Sequence, residues 1–184
     1  MSLLLEGQQT DRILFRRVQH TDYNQWLPFF QDPITFLHWV EPRKSPEDAC
    51  EKWIQKQLHR YENNLGGMNA LIERQSGDLL GYCGLLVQSV DGVEELEVGY
   101  SLLPRFWKNG YASEAAIKCR NYAFERNLSG SLISIISVTN EPSKRVAHNN
   151  GMKCEKTTTY RDNKVDIFRI TGMEWEQLSA FGQI

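Results

Sequence analysis

Between Glu95 and Ala123 the chain changes period once, and that change constrains the fold more than any other feature. From Glu95 to Leu103 the residues alternate, with Leu96, Val98, Tyr100 and Leu102 on one face and Glu95, Glu97, Gly99 and Ser101 on the other. That is the pattern of a strand with two unlike sides. After Pro104 and a short segment containing Gly110, the small apolar positions Ala112, Ala115, Ala116, Cys119, Tyr122 and Ala123 recur at helical spacing. A strand running through a glycine-bearing loop into a helix with a small-residue face predicts a sheet with a helix packed against it.

The rest of the chain supplies the other elements. Ile13 to Val18 reads as a first strand, and His20-Thr21-Asp22 as a turn whose Thr21 or Asp22 caps a helix from Tyr23 to Phe30, broken at Asp32-Pro33. Ser45-Pro46-Glu47-Asp48 combines a capping serine, a first-turn proline and acids, so it starts a second helix. Its stripe of Cys50, Trp53, Ile54, Gln57, Leu58 and Tyr61 ends near Asn63-Asn64-Leu65-Gly66-Gly67. Met68 to Glu73 and Leu79 to Val87 read as strands around the turn Gln75-Ser76-Gly77-Asp78, and Asp91-Gly92 leads into the alternating strand. Three strands joined by short turns predict an antiparallel meander. Leu132 to Val138 is a buried strand, and Pro142 to Asn149 a short helix stopped by Asn150-Gly151. Met152 to Tyr160 and Val165 to Trp175 form a last hairpin. The order β-α-α-β-β-β-α-β-α-β-β describes a mixed α/β (α+β) fold in a single domain over residues 1–184, with residues 1–8 expected to be flexible.

At 184 residues the chain suits one domain with a sizeable core. A formal net charge of −2 opposes broad electrostatic binding to nucleic acid or an anionic membrane. No apolar run approaches the ~20 residues that span a bilayer. The opening Met1-Ser2-Leu3-Leu4-Leu5-Glu6 carries an acid early and no basic leader, unlike a secretory signal. Cys50, Cys83, Cys119 and Cys154 are scattered without a Cys-x-x-Cys pair, and His20, His38, His59 and His148 are as dispersed. No metal site is expected, and four reduced cysteines make a cytoplasmic location the default.

Chemistry concentrates from Glu97 to Ala115. Backbone N–H groups at a helix start are unpaired and lie at the positive end of its dipole. Glycine and alanine there let an anion approach the main chain, and Lys108 adds a cation. An ordinary turn is the plain alternative for such a segment taken by itself. Here Trp107-Lys108-Asn109-Gly110-Tyr111-Ala112 resembles the coenzyme A loop of the GNAT acetyltransferase superfamily, Gln/Arg-x-x-Gly-x-Gly/Ala, with Trp107 in the first position. Within it the run resembles the branch of ribosomal-protein N-terminal and spermidine acetyltransferases, which favours Glu-Ile-Gly-Tyr, then Pro, then Trp-Gly-Lys-Gly-Tyr-Ala-Thr-Glu-Ala. Glu97, Gly99, Tyr100, Pro104, Trp107, Gly110, Tyr111, Ala112, Glu114 and Ala115 match; Lys108 stands where that branch has glycine. Asn140 to Met152 resembles the family's Asn-x-x-Ser…Gly-Phe motif with Met152 replacing phenylalanine, and Thr10 to Arg16 resembles the branch's first strand.

The resemblance implies a GNAT fold: a twisted mixed sheet splayed between two central parallel strands, Glu95–Leu103 and Leu132–Val138, with helices on both faces. It implies an acyltransferase using acetyl-CoA as cosubstrate, whose pantetheine arm pairs with Ser101, Leu102 and Leu103. The diphosphate would lie on the amides of Lys108, Asn109, Gly110, Tyr111, Ala112 and Ser113, and Asn140 would contact the pantetheine. A protonated amine has no lone pair to give, so a base must deprotonate the acceptor, and the leaving thiolate needs a donor. Glu97 matches the branch's glutamate beside the thioester and is the expected base, with Glu95 on the same face as runner-up. The plain alternative is a carboxylate that only binds a cationic acceptor. Many family members place a tyrosine seven residues after the motif asparagine; here that position is Ala147. The branch proposes instead an early serine of the same helix, matched by Ser143, which could equally be a helix cap.

His148 reads as a surface or capping residue, and Cys83 and Cys119 as core. Trp26, Trp39, Trp53 and the Phe29-Phe30 pair read as core packing, and Phe36-Leu37-His38-Trp39 lies where the family forms its acceptor wall, so part of it could line that pocket. Glu94, Glu95 and Glu97 would make that wall acidic. The expected acceptor is a protein N-terminus or a small amine, and the branch's habit makes a homodimer the expected assembly. The alternative from another class is a non-catalytic coenzyme A-binding sensor, favoured by Lys108 in the loop and Ala147 in place of tyrosine.

Overall fold

The alternation read in the central strand belongs to β4, Val93–Leu102, the middle of a seven-stranded sheet. The computed structural model describes residues 2–38 and 45–180, with side chains to residue 178. On one side of β4 lie β3 (Leu79–Val90), β2 (Gly66–Glu73) and β1 (Ile13–Arg17), all antiparallel in turn, which is the expected meander. Asp91 and Gly92 both adopt positive φ, 51° and 79°. Two such residues match the right-handed twist of the flanking strands and turn β3 tightly into β4.

On the other side lie β5 (Ser131–Ser137), β7 (Asn163–Thr171) and β6 (Lys153–Tyr160), in that order. Both junctions within this group are antiparallel. β4 and β5 are parallel and pair only at Glu97 opposite Ile133. The seven strands are therefore two antiparallel half-sheets that meet at one position and then part.

Helices cover both faces. α1 (Tyr23–Gln31) and α2 (Pro46–Glu62) lie on one, where Trp26, Phe30, Cys50 and Ile54 bury against Leu79 and Tyr82. Trp26 is fully buried, stacked 4.3 Å from Phe29 and edge-on to Tyr82 at 4.6 Å. Truncation of such a side chain costs about 3–5 kcal/mol. α3 (Tyr111–Glu125) and α4 (Glu141–Asn149) lie on the other face. There Ala115, Ala116, Cys119 and Ala123 bring α3 close to Cys83, Val98 and Leu102. Cys83 and Cys119 are buried with their Sγ atoms 3.6 Å apart, as core residues. Among the described residues no helix is long and apolar enough to cross a membrane, and no group of three or more His, Cys, Asp or Glu could hold a metal.

Three local expectations change. Val165 to Trp175 is not one strand: β7 stops at Thr171 and α5, Gly172–Ala180, follows. Thr171 and Glu174 form a reciprocal cap, the Thr171 N–H donating to Glu174 Oε2 at 2.9 Å and the Glu174 N–H to Thr171 Oγ1 at 3.3 Å. Trp175 then stacks on Phe124, 5.4 Å away, instead of extending the hairpin. Asp22 does not cap α1 with its side chain; it is buried, paired with Arg16 at 2.6 Å and accepting from the Gln19 N–H at 2.9 Å. The opening residues, expected to be loose, pack at Leu5, whose side chain is fully buried and whose N–H donates to Asn69 Oδ1 at 3.1 Å. Ser45 caps α2 as read, accepting from the Asp48 N–H at 3.0 Å.

Candidate active site

The candidate site begins where β4 and β5 separate. Beyond Glu97 and Ile133 the edge of β4 facing β5 has no strand partner. A side chain makes the last link, Ser134 Oγ donating to the Val98 carbonyl at 2.8 Å. Ser101 is half-buried on this edge. Leu102 and Leu103 bury their side chains in the two cores, and the Leu103 N–H donates to the Leu80 carbonyl at 3.0 Å. Trp107 closes the following loop back onto the strand, its indole N–H donating to the Leu102 carbonyl at 2.8 Å.

The loop presents its amides. The Trp107 N–H donates to the Pro104 carbonyl at 3.1 Å, and the Glu114 N–H to that of Gly110 at 3.0 Å. Between them, the N–H groups of Lys108, Asn109, Gly110, Tyr111, Ala112 and Ser113 meet no acceptor among the described residues. Six consecutive free donors at a helix start fit a polyanion such as a diphosphate. Lys108 and Gly110 both sit in the left-handed region, φ 63° and 80°. This explains why a glycine suits position 108 and what the lysine costs there: about 1 kcal/mol of backbone strain.

α4 stands across the gap, tied at both ends. Tyr100 Oη donates to the Ser143 carbonyl at 2.8 Å, and Asn149 Nδ2 to Ser113 Oγ at 3.1 Å. Asn140 is the cap of α4, its Oδ1 accepting from the Ser143 N–H at 3.1 Å. The Asn140 side-chain NH2 meets no acceptor among the described residues. The cap is therefore not made by Ser143, whose hydroxyl has no hydrogen bond among the described residues. Ala147, at the position of the family's tyrosine, is buried and faces the core. His148 is exposed, with its ring edge-on to Phe168.

The two candidate bases have different surroundings. Glu95 is held by Arg169 of β7 through two bonds, 2.6 and 3.0 Å, and Arg169 also takes Glu155 at 2.9 Å. Both Glu95 oxygens are thus taken up by one guanidinium. Glu97 has no salt bridge to a described residue. It accepts instead from Gln88 Nε2 at 2.7 Å, and Gln88 Oε1 accepts from Tyr160 Oη at 3.0 Å. Burial pushes the Glu97 carboxyl above its ordinary range, against the opposing pull of Gln88, the Ile135 amide and the more distant Arg60 and Arg161. A carboxyl raised in this way, without a cation clamp, is a better proton acceptor than an ordinary surface carboxylate. Glu94 is exposed and has the opposite parity, and Glu95 is neutralised, so the three acids do not form one acidic wall.

Sequence reasoning missed Gln88 and Tyr160. Gln88 lies opposite Glu95, diagonal to Glu97, a relation that only the strand register reveals. On the acceptor side, His38 Nδ1 lies 2.9 Å from Thr139 Oγ1, bridging the segment after α1 to the end of β5. Trp39 lies outside the described residues.

Residues 12–153 match the family model of the acetyltransferase (GNAT) domain. The chain belongs to the GNAT acetyltransferase family. YkkB of Bacillus subtilis strain 168 is similar to this GNAT chain at 31% identity over 164 residues, covering 86% of this chain and 92% of YkkB. An acetyltransferase from Agrobacterium tumefaciens C58 has the same fold, with a TM-score of 0.75 at 20% identity over 92% of this chain and 96% of that one. So has the ribosomal-protein-S5-alanine acetyltransferase of Vibrio fischeri, with a TM-score of 0.69 at 15% identity, covering 92% and 98%. As a GNAT member the chain is an acyltransferase that takes acetyl from acetyl-CoA to an amine acceptor. The free amides and the splayed strands fit that cosubstrate.

Proposed function

We propose that this GNAT enzyme acetylates a primary amine, either a protein N-terminus or a small molecule, by direct attack on the thioester. In this reading the amides from Lys108 to Ser113 carry the diphosphate, and Ser101 to Leu103 with Asn140 line the pantetheine. Glu97 takes the proton of the incoming ammonium, so that the amine lone pair forms the C–N bond as the C–S bond breaks. The Ser143 hydroxyl donates to the departing sulfur, which takes up the second proton shed by the acetylated nitrogen and leaves as the free thiol, a role that the buried Ala147 cannot fill. The observation that carries the reading is the contrast between the two acids: Glu95 is clamped by Arg169, whereas Glu97 is held only by neutral donors and has a raised pKa. The likeness to the ribosomal-protein branch, seen in Glu97-Val98-Gly99-Tyr100 and in the loop, supports an N-terminal amine as acceptor. It also supports a cytoplasmic homodimer, which sedimentation at micromolar concentration tests.

The deciding experiment mixes the protein with acetyl-CoA and an amine panel of ribosomal N-terminal peptides, polyamines and amino acids, and follows free thiol. Acceptor-dependent release with one class is the expected result. Thiol release that no amine accelerates would remove the proposal.

A further inference from the structure

Thr10 and Arg12 precede β1, and Glu114 lies in the first turn of α3, 102 positions beyond Arg12. In space they are one cluster. Arg12 Nε and Nη2 both reach Glu114 Oε2, at 2.7 and 2.5 Å. The other oxygen, Oε1, accepts from Thr10 Oγ1 at 2.5 Å and from the Arg12 N–H at 3.2 Å. Arg12 Nη1 donates to the Asn109 carbonyl at 2.9 Å, and the guanidinium lies 4.4 Å over the Tyr111 ring. A single arginine thus grips both the loop and the helix start that present the free amides.

Its chemistry suits that place. An acid in the first turn complements the helix dipole, but it also repels any anion brought to the same amides. Arg12 cancels that charge. By taking the Asn109 carbonyl it also turns that oxygen away from the anion's side, at the residue between the two left-handed positions Lys108 and Gly110. Lysine could supply the charge but not the three directed donors.

We propose that Arg12, braced by Thr10 and Glu114, is a positioning residue for cosubstrate binding: it holds the Lys108–Ser113 amides open to the diphosphate without touching the thioester. The proposal rests on reading those amides as the diphosphate site. Equilibrium titration of the folded protein with coenzyme A and with pantetheine, which lacks the diphosphate, tests both. Arg12→Ala should weaken coenzyme A binding about tenfold, the loss of charge-assisted hydrogen bonds, and leave pantetheine binding unchanged. Arg12→Lys, which keeps the charge and the fold, should recover only part of the loss. Equal weakening of both ligands, or of neither, in the two variants overturns the proposal and leaves the diphosphate reading intact. If the unaltered protein binds the two ligands equally well, the diphosphate reading itself falls.

Discussion

In the proposed mechanism Glu97 is the base, and Gln88, which donates to its carboxylate, tunes it. The ionised carboxylate is the basic form, and burial raises its pKa, so activity should rise with pH through a limb above the ordinary carboxylate range. Glu97→Gln should remove that limb from the pH profile of kcat/KM and lower the rate about 10²–10⁴-fold. Gln88 donates to the ionised form and therefore lowers the pKa; Gln88→Leu should move the same limb to higher pH. A limb that stays in place in both variants would assign the base elsewhere. Ser143 and Asn140 separate in the same way. Because Asn140 makes the cap, Ser143→Ala should reduce turnover at least about tenfold while leaving the melting temperature unchanged. Asn140→Ala should cost about 1 kcal/mol of stability in a denaturant titration.

The loop before α3 shows, at the scale of elements, how far sequence reaches. Gly110 and the small face of α3 could be read directly, because glycine in a strand–loop–helix junction and alanines at helical spacing are local signals. Position 108 was legible only as a departure from a pattern, and its φ of 63° supplies the reason. Lys108→Gly should raise stability by about 1 kcal/mol by relieving that strain, and should weaken coenzyme A binding through loss of the cation. A calorimetric scan and a ligand titration on the same variant check both signs. α5 was missed although its signal was present. Thr171-Gly172-Met173-Glu174 has the spacing of a capping box, hidden behind Ile167, Phe168 and Ile170, which continue the look of a strand. The meander was readable because both its turns and its alternation are local. The partners of Glu95, Glu97 and Glu114 come from segments 9 to 104 positions away, and no local pattern announces them.

In the whole molecule, the ion pair between Glu95 of β4 and Arg169 of β7 spans the two half-sheets across β5. Arg169→Met would leave Glu95 partly buried beside no cation and should cost about 3 kcal/mol in chemical denaturation, whereas Glu95→Gln combined with Arg169→Met should recover much of it. Equal losses in the single and double variants would deny the pair its bridging role. The parallel pairing of β4 with β5 at Glu97 and Ile133 alone has a mechanical side. A fabric stitched at one point can gape without tearing on either side of the stitch. Departure of the spent carrier therefore asks nothing of the antiparallel ladders, whose amides should stay protected from deuterium through many turnovers while those lining the slit exchange.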